Sequence, residues 1–184
     1  MSTPEIVILS LVVVLLLVAA AFLVRRRRSH DLRSRFGPEY ERAVEERGGS
    51  RAAEAQLAER EKRVRHYRLT ALGAEERQRF ALAWRKLQAQ FVDNPKAATT
   101  EADALIGRVM SARGYPEGEF DRRLEDLSVD HAEAVQNYRA AHEVALRHAR
   151  GEAGTEDMRQ AMIGYRTLFD DLVGEAPETR RLAS

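Results

Sequence analysis

From Ile6 to Val24 the chain runs nineteen residues with Ser10 as the only polar side chain. Wound as a helix at ~1.5 Å per residue, such a run is about 28 Å long, close to the thickness of the hydrocarbon core of a bilayer. Backbone groups that meet no water must pair within their own segment, so a helix is the form a single apolar segment takes in lipid. The run therefore predicts a transmembrane helix over residues 6–24, preceded by a short tail over residues 1–5. Two other readings stay open. A buried helix of a water-soluble fold usually stops sooner and carries a polar face. A cleaved signal peptide would find an Ala-x-Ala site at Ala19-Ala20-Ala21, but the leader Met1 to Glu5 has no Lys or Arg. The apolar run also exceeds the ~7 to 15 residues of a usual leader core.

Charge sets the expected orientation. Arg25, Arg26, Arg27, Arg28, Arg33 and Arg35 all follow the apolar run and no basic residue precedes it. Basic residues beside a span are retained in the cytoplasm. The expectation is a single-pass protein of the cell membrane, with the N-terminus outside and the rest cytoplasmic. The same six arginines, in a basic juxtamembrane segment over residues 25–37, are the candidates for contact with anionic headgroups at ~1 kcal/mol each. Fixing the topology is an equally good account of them. The lipid bilayer is thus the first expected partner.

The remaining composition mainly excludes. Lys and Arg number 30 against 29 Asp and Glu, a net charge of +1, so basic character is concentrated beside the apolar run. Arg outnumbers Lys 27 to 3, which reads as coding bias from a G+C-rich genome and weakens any argument from arginine counts. The basic stretch Arg60 to Arg68 is interleaved with and preceded by acids at Glu59 and Glu61, and reads as a charged helix face rather than a nucleic-acid contact. With no Cys there is no disulfide framework, thiolate nucleophile or Cys-ligated metal.

The body reads as helices throughout. Pro38 suits a first helical position, with Glu39 and Glu41 at the positive helix start. Gly48-Gly49 breaks the chain, and Ser50 is placed to cap a second helix to about His66. Its apolar face is thin and it carries Glu59/Arg63 and Glu61/Arg65 pairs, so residues 38–68 are expected to form a charged helical stalk. Phe80, Trp84, Leu87 and Phe91 recur at spacings of 4, 3 and 4, one stripe of a helix from about Ala74 to Val92. Asn94-Pro95 opens another, with Leu105 and Val109 on its inner stripe. A short connector helix ends near Leu127. Asp130 is placed to cap a long helix with Val135, Tyr138 and His142 inward, and Thr155 starts a last one with Met162, Tyr165 and Phe169 on one face. No stretch alternates at period 2. The expected fold is all-α: the transmembrane helix, the stalk, and a bundle of about four long helices plus the connector over residues 69–174, followed by a disordered tail over residues 175–184.

A search for chemistry returns little. Phosphate-binding glycine motifs and a G-x-S-x-G elbow are missing. A bundle di-iron site needs Glu-x-x-His pairs, and none of His30, His66, His131, His142 and His148 has an acid three residues before it. His142 and His148 are six apart, about 240° around a helix, and cannot share a metal. No metal, no cofactor, no nucleic acid and no catalytic residue is therefore expected. His142 reads as a hydrogen-bonded interfacial side chain, and Tyr138-Arg139 and Tyr165-Arg166 as Tyr inward with Arg outward.

The stretches FGPEY (Phe36 to Tyr40), WRKLQAQFVDNP (Trp84 to Pro95), LSVDH (Leu127 to His131) with Asn137-Tyr138-Arg139, and TEDMRQAMIGYRTLFDDL (Thr155 to Leu172) resemble a group of uncharacterised actinobacterial membrane-anchored or secreted hypothetical proteins. That resemblance covers nearly all of the chain after the apolar run, and implies an architecture without an activity. The expected function is a non-enzymatic tether or interaction module at the cytoplasmic membrane face, engaging a protein partner or a second copy of itself. An extracytoplasmic helical domain is the alternative, and a small-ligand or enzyme bundle the third.

Overall fold

The computed structural model describes residues 3–174, with side chains from residue 11 onward. Eight helices account for most of these residues: α1 Thr3–Phe36, α2 Pro38–Arg47, α3 Ser50–Arg65, α4 Ala74–Asp93, α5 Pro95–Ala112, α6 Phe120–Leu127, α7 Ala132–Ala149 and α8 Thr155–Gly174. The expected tail over residues 175–184 lies outside the described residues. Among them there is no strand.

The C-terminal helices form a bundle because each carries one apolar stripe. α4 packs along α5, α5 along α8, and α8 along α7, with the short α6 laid across α7. Phe80, Trp84, Leu87, Leu105, Val109, Val135, Tyr138, Met162, Tyr165 and Phe169 belong to one buried cluster, with Phe91 packed at its edge. Trp84 stacks on Phe169 with ring centroids 4.9 Å apart, and the Arg166 guanidinium lies 5.5 Å from the Trp84 ring. α4 gives way to α5 through one residue, Asn94, whose side chain accepts the Ala97 N–H at 3.1 Å and satisfies an orphan donor. Two expected caps differ. Gly49, not Ser50, precedes α3, and His131, not Asp130, precedes α7, neither with a side-chain cap. α7 and α8 approach so closely at Gly164 that an added Cβ would sit 2.6 Å from the Asn137 carbonyl. Glycine there costs helix propensity but permits the contact.

Residues 38–68 are not a stalk. α2 and α3 fold back on one another and on the end of α1, burying Leu32, Phe36, Tyr40, Ala43, Ala53, Leu57 and Val64 with Val129 in a second cluster. The face of α3 looks thin in sequence because most of the apolar surface it meets comes from α1 and α2.

The expected transmembrane helix over residues 6–24 is corrected. α1 continues without a break through Arg25–Arg28 to Phe36, and among the described residues no helix is long and apolar enough to cross a membrane. The apolar part with described side chains, Leu11 to Val24, is fourteen residues, about 21 Å as helix against the ~30 Å of a hydrocarbon core. Ile6 to Ser10 lie outside the described side chains.

Candidate functional site

Two places concentrate charge and exposed apolar surface: the projecting half of α1 with its basic segment, and the seam between the α1–α3 unit and the bundle.

Every residue of α1 from Leu11 to Arg28 is exposed. Eleven large apolar side chains fall in this stretch, from Leu11 at 71% through Val12 at 45% to Val24 at 67%. They lie on all sides of the helix, so whatever covers them must surround it. Covering them is worth on the order of 20 kcal/mol at ~1.5–3 kcal/mol per side chain.

The six arginines that follow divide into three sets. Arg25, Arg26, Arg27 and Arg28 are exposed, and among the described residues none forms an ion pair. Arg33 is exposed, lies 3.3 Å from Glu41 and sits over the Tyr40 ring. Arg35 instead turns inward. It donates from Nε to the Val129 carbonyl at 3.1 Å, and pairs with Glu61 at 3.1 Å and Asp130 at 3.0 Å. It joins α1 to α3 and to the α6–α7 turn, so its role is structural and it is not placed to meet a headgroup.

The seam is built from charges that sequence spacing does not connect. Glu39 of α2 is 2% exposed and its Oε1 accepts from Arg139 at 2.9 Å and Gln136 at 2.5 Å, both on α7. Arg60 of α3 is 6% exposed, and lies 3.7 Å from Glu39 and 3.6 Å from Glu125 of α6. Burial lowers the Arg60 pKa below its usual value, although Glu125 and Glu39 oppose it. Arg63 donates to Asp126 and Glu125, each at 2.8 Å, and Tyr67 donates to Asp126 at 2.9 Å. Burial by itself would lower the Arg63 pKa, but the Asp126 and Glu125 carboxylates more than offset it.

α6 has a second polar face toward the bundle. Asp103 of α5 accepts from the Tyr138 hydroxyl at 2.8 Å and from Arg123 at 3.0 Å. His142 stacks on Phe120 with centroids 3.5 Å apart, its Nδ1 4.0 Å from Asp103. Burial lowers its pKa, Asp103 opposes, and Arg123 adds to the lowering. Burial raises the Tyr138 hydroxyl far above its ordinary range, helped by Asp103. Tyr138 points inward, but Arg139 is bonded to Glu39 and does not simply face solvent.

His131, given no role in the sequence reading, is 3% exposed and bonded through Nδ1 to Asp171 at 2.8 Å. The pair borders an open cleft of about 620 Å³ where α7 and α8 meet the α1–α2 junction, lined also by Ser34, Pro38 and Thr167. The partner carboxylate is forty positions away, so no local motif announces it. Among the described residues no three His, Asp or Glu come together as a metal site. No family model, curated protein or solved structure matches the chain.

Proposed function

We propose that the protein is a non-catalytic helical interaction module that acts at the cytoplasmic face of a membrane, with the projecting half of α1 as its point of attachment. The observation that carries this reading is the exposed apolar helix from Leu11 to Val24, closed on its inner side by Arg25 to Arg28. Apolar surface on every side calls for an apolar surround, and a row of arginines at its edge suits the anionic headgroup layer. The reading needs the arm to be covered by lipid and makes no use of a crossing. Attachment would hold the bundle near its protein partner and raise the local concentration of the pair.

The test is flotation with phosphatidylcholine vesicles. The full chain should rise with the vesicles, and a chain lacking residues 1–24 should stay in the dense fraction. A full chain that stays behind as a defined oligomer would put copies of the chain, not lipid, around the arm. A C-terminal tag open to protease in intact cells would instead favour the extracytoplasmic alternative.

A further inference from the structure

Where α1 leaves its apolar half it borders a second cleft, of about 430 Å³, lined by Phe22, Arg25, Arg26, Ser29, His30 and Arg33 of α1 and by Ser50 and Glu54 of α3. The α1 residues recur so that at ~100° per residue they fall within about 140° of one another, a single face of the helix. Arg27 and Arg28 point to the other sides. α3 begins opposite this face without a side-chain cap, so the positive end of a sixteen-residue helix adds to the guanidinium groups of Arg25, Arg26 and Arg33, the last of which also pairs with Glu41 at 3.3 Å on the helix surface. The single acid, Glu54, is already engaged: its Oε1 accepts from Ser29 at 2.6 Å and from Tyr40 at 3.0 Å. Arg25 and Arg26 form no ion pair among the described residues, which leaves planar forks suited to phosphate oxygens.

We propose that this cleft is a binding site for a phosphate monoester group, gripped by Arg25, Arg26 and Arg33 against the start of α3. Phe22 at its rim continues into the apolar half of α1, so a phosphorylated lipid would place its phosphate in the cleft and its chains along the arm. The proposal deepens the membrane reading above and rests on it for the lipid source; a free phosphate would use the same groups. It also separates the arginines that look alike in sequence: two of the four in the run are ligands and two are not.

The full chain carrying Arg51→Cys, which gives this Cys-free protein one thiol beside the cleft, is labelled with an environment-sensitive dye and placed in neutral phosphatidylcholine vesicles. Dioctanoyl phosphatidate should change the dye signal saturably. Arg25→Gln with Arg26→Gln should weaken that binding about tenfold or more, through loss of two charge-assisted contacts. Arg27→Gln with Arg28→Gln removes the same charge from the same turn and should weaken it no more than about threefold, the size of a general field effect. Inorganic phosphate producing the same signal with the same dependence on the variants would uphold the cleft and name free phosphate as the source. Equal weakening by the two double variants, or no saturable signal with either titrant, would overturn the site. If the full chain fails to float with neutral vesicles, the titrations are run in detergent; phosphate binding there would keep the cleft while the membrane reading fell.

Discussion

The bundle and the α1–α3 unit hold together by different means. In the bundle, one cluster of apolar side chains runs from Leu72 to Leu172 and draws on every helix from α4 to α8. The α1–α3 unit has its own smaller apolar cluster, and much of what joins it to the bundle is charge: Glu39 with Arg139, Arg60 with Glu125, Arg63 with Asp126, and Arg35 with Asp130. Close-packed apolar side chains lose contact when shifted, and a buried carboxylate between guanidinium groups adds the cost of leaving a desolvated charge unpaired. The unit is therefore placed on the bundle in one orientation, and the arm of α1 with it.

The largest effect should come from the bundle. Trp84 is 1% exposed and stacked on Phe169, so Trp84→Ala should cost about 3–5 kcal/mol through lost burial and the cavity left behind. Its indole N–H has no hydrogen-bond partner among the described residues. Trp84→Phe should therefore cost only about 1–2 kcal/mol, the volume without a polar penalty. Urea unfolding of the two variants measures the difference. A Trp84→Phe cost well above this range would mean that the indole N–H is bonded after all, and equal costs would mean that a phenyl ring recovers none of the packing.

The seam should break next. Glu39→Gln keeps the shape and removes the charge that faces the half-buried Arg139 and the buried Arg60, leaving Arg60 with Glu125 alone. Breaking a buried pair in this way costs about 3 kcal/mol. Hydrogen exchange should show the loss first in residues 38–65, with α4, α5 and α8 still protected. Uniform loss of protection would show that the two regions unfold as one unit, and would remove the distinction drawn between them.

The same contrast governs what could be read from the sequence. The stripe Phe80, Trp84, Leu87, Phe91 was legible because all four side chains serve one helix face, and Asn94-Pro95 marked a helix start because a cap acts locally. The burial of α3 was not legible: Leu57 and Val64 make a thin stripe until Phe36 and Tyr40 arrive from other helices. Glu39 and Arg139 are a hundred positions apart, and neither carries a sign that it is buried. For the apolar run, residue type suggested a crossing, whereas among the described residues no helix is long and apolar enough for one. The cleft was half legible. Helical arithmetic puts Arg25, Arg26 and Arg33 on one face, but only folding brings the start of α3 beside them.

The smallest effect is pH-dependent and lies on the bundle side of α6. Burial is the main cause that lowers the His142 pKa; Arg123 of α6 adds to it, while Asp103 of α5, Asp121 of α6 and the adjacent Glu143 favour the proton. Because the folded imidazole binds its proton less tightly than the unfolded one at about 6.5, the unfolded chain takes up more protons as the pH drops. The contribution of His142 is therefore constant above about pH 6.5 and is lost as the pH falls below it. Protonation would set a cation 4.0 Å from Asp103 Oδ1, which already accepts from the Tyr138 hydroxyl, and beside the like charge of Arg123, which is bonded to Oδ2 at 3.0 Å, so α6 loosens from α5 and α7. His142→Gln should flatten this part of the profile between about pH 7.5 and 5, measured as the change in urea midpoint. An imidazole titrating above 6.5 in the folded protein would reverse the sign. In that case Asp103 outweighs burial, and acid would tighten α6 against the bundle instead of releasing it.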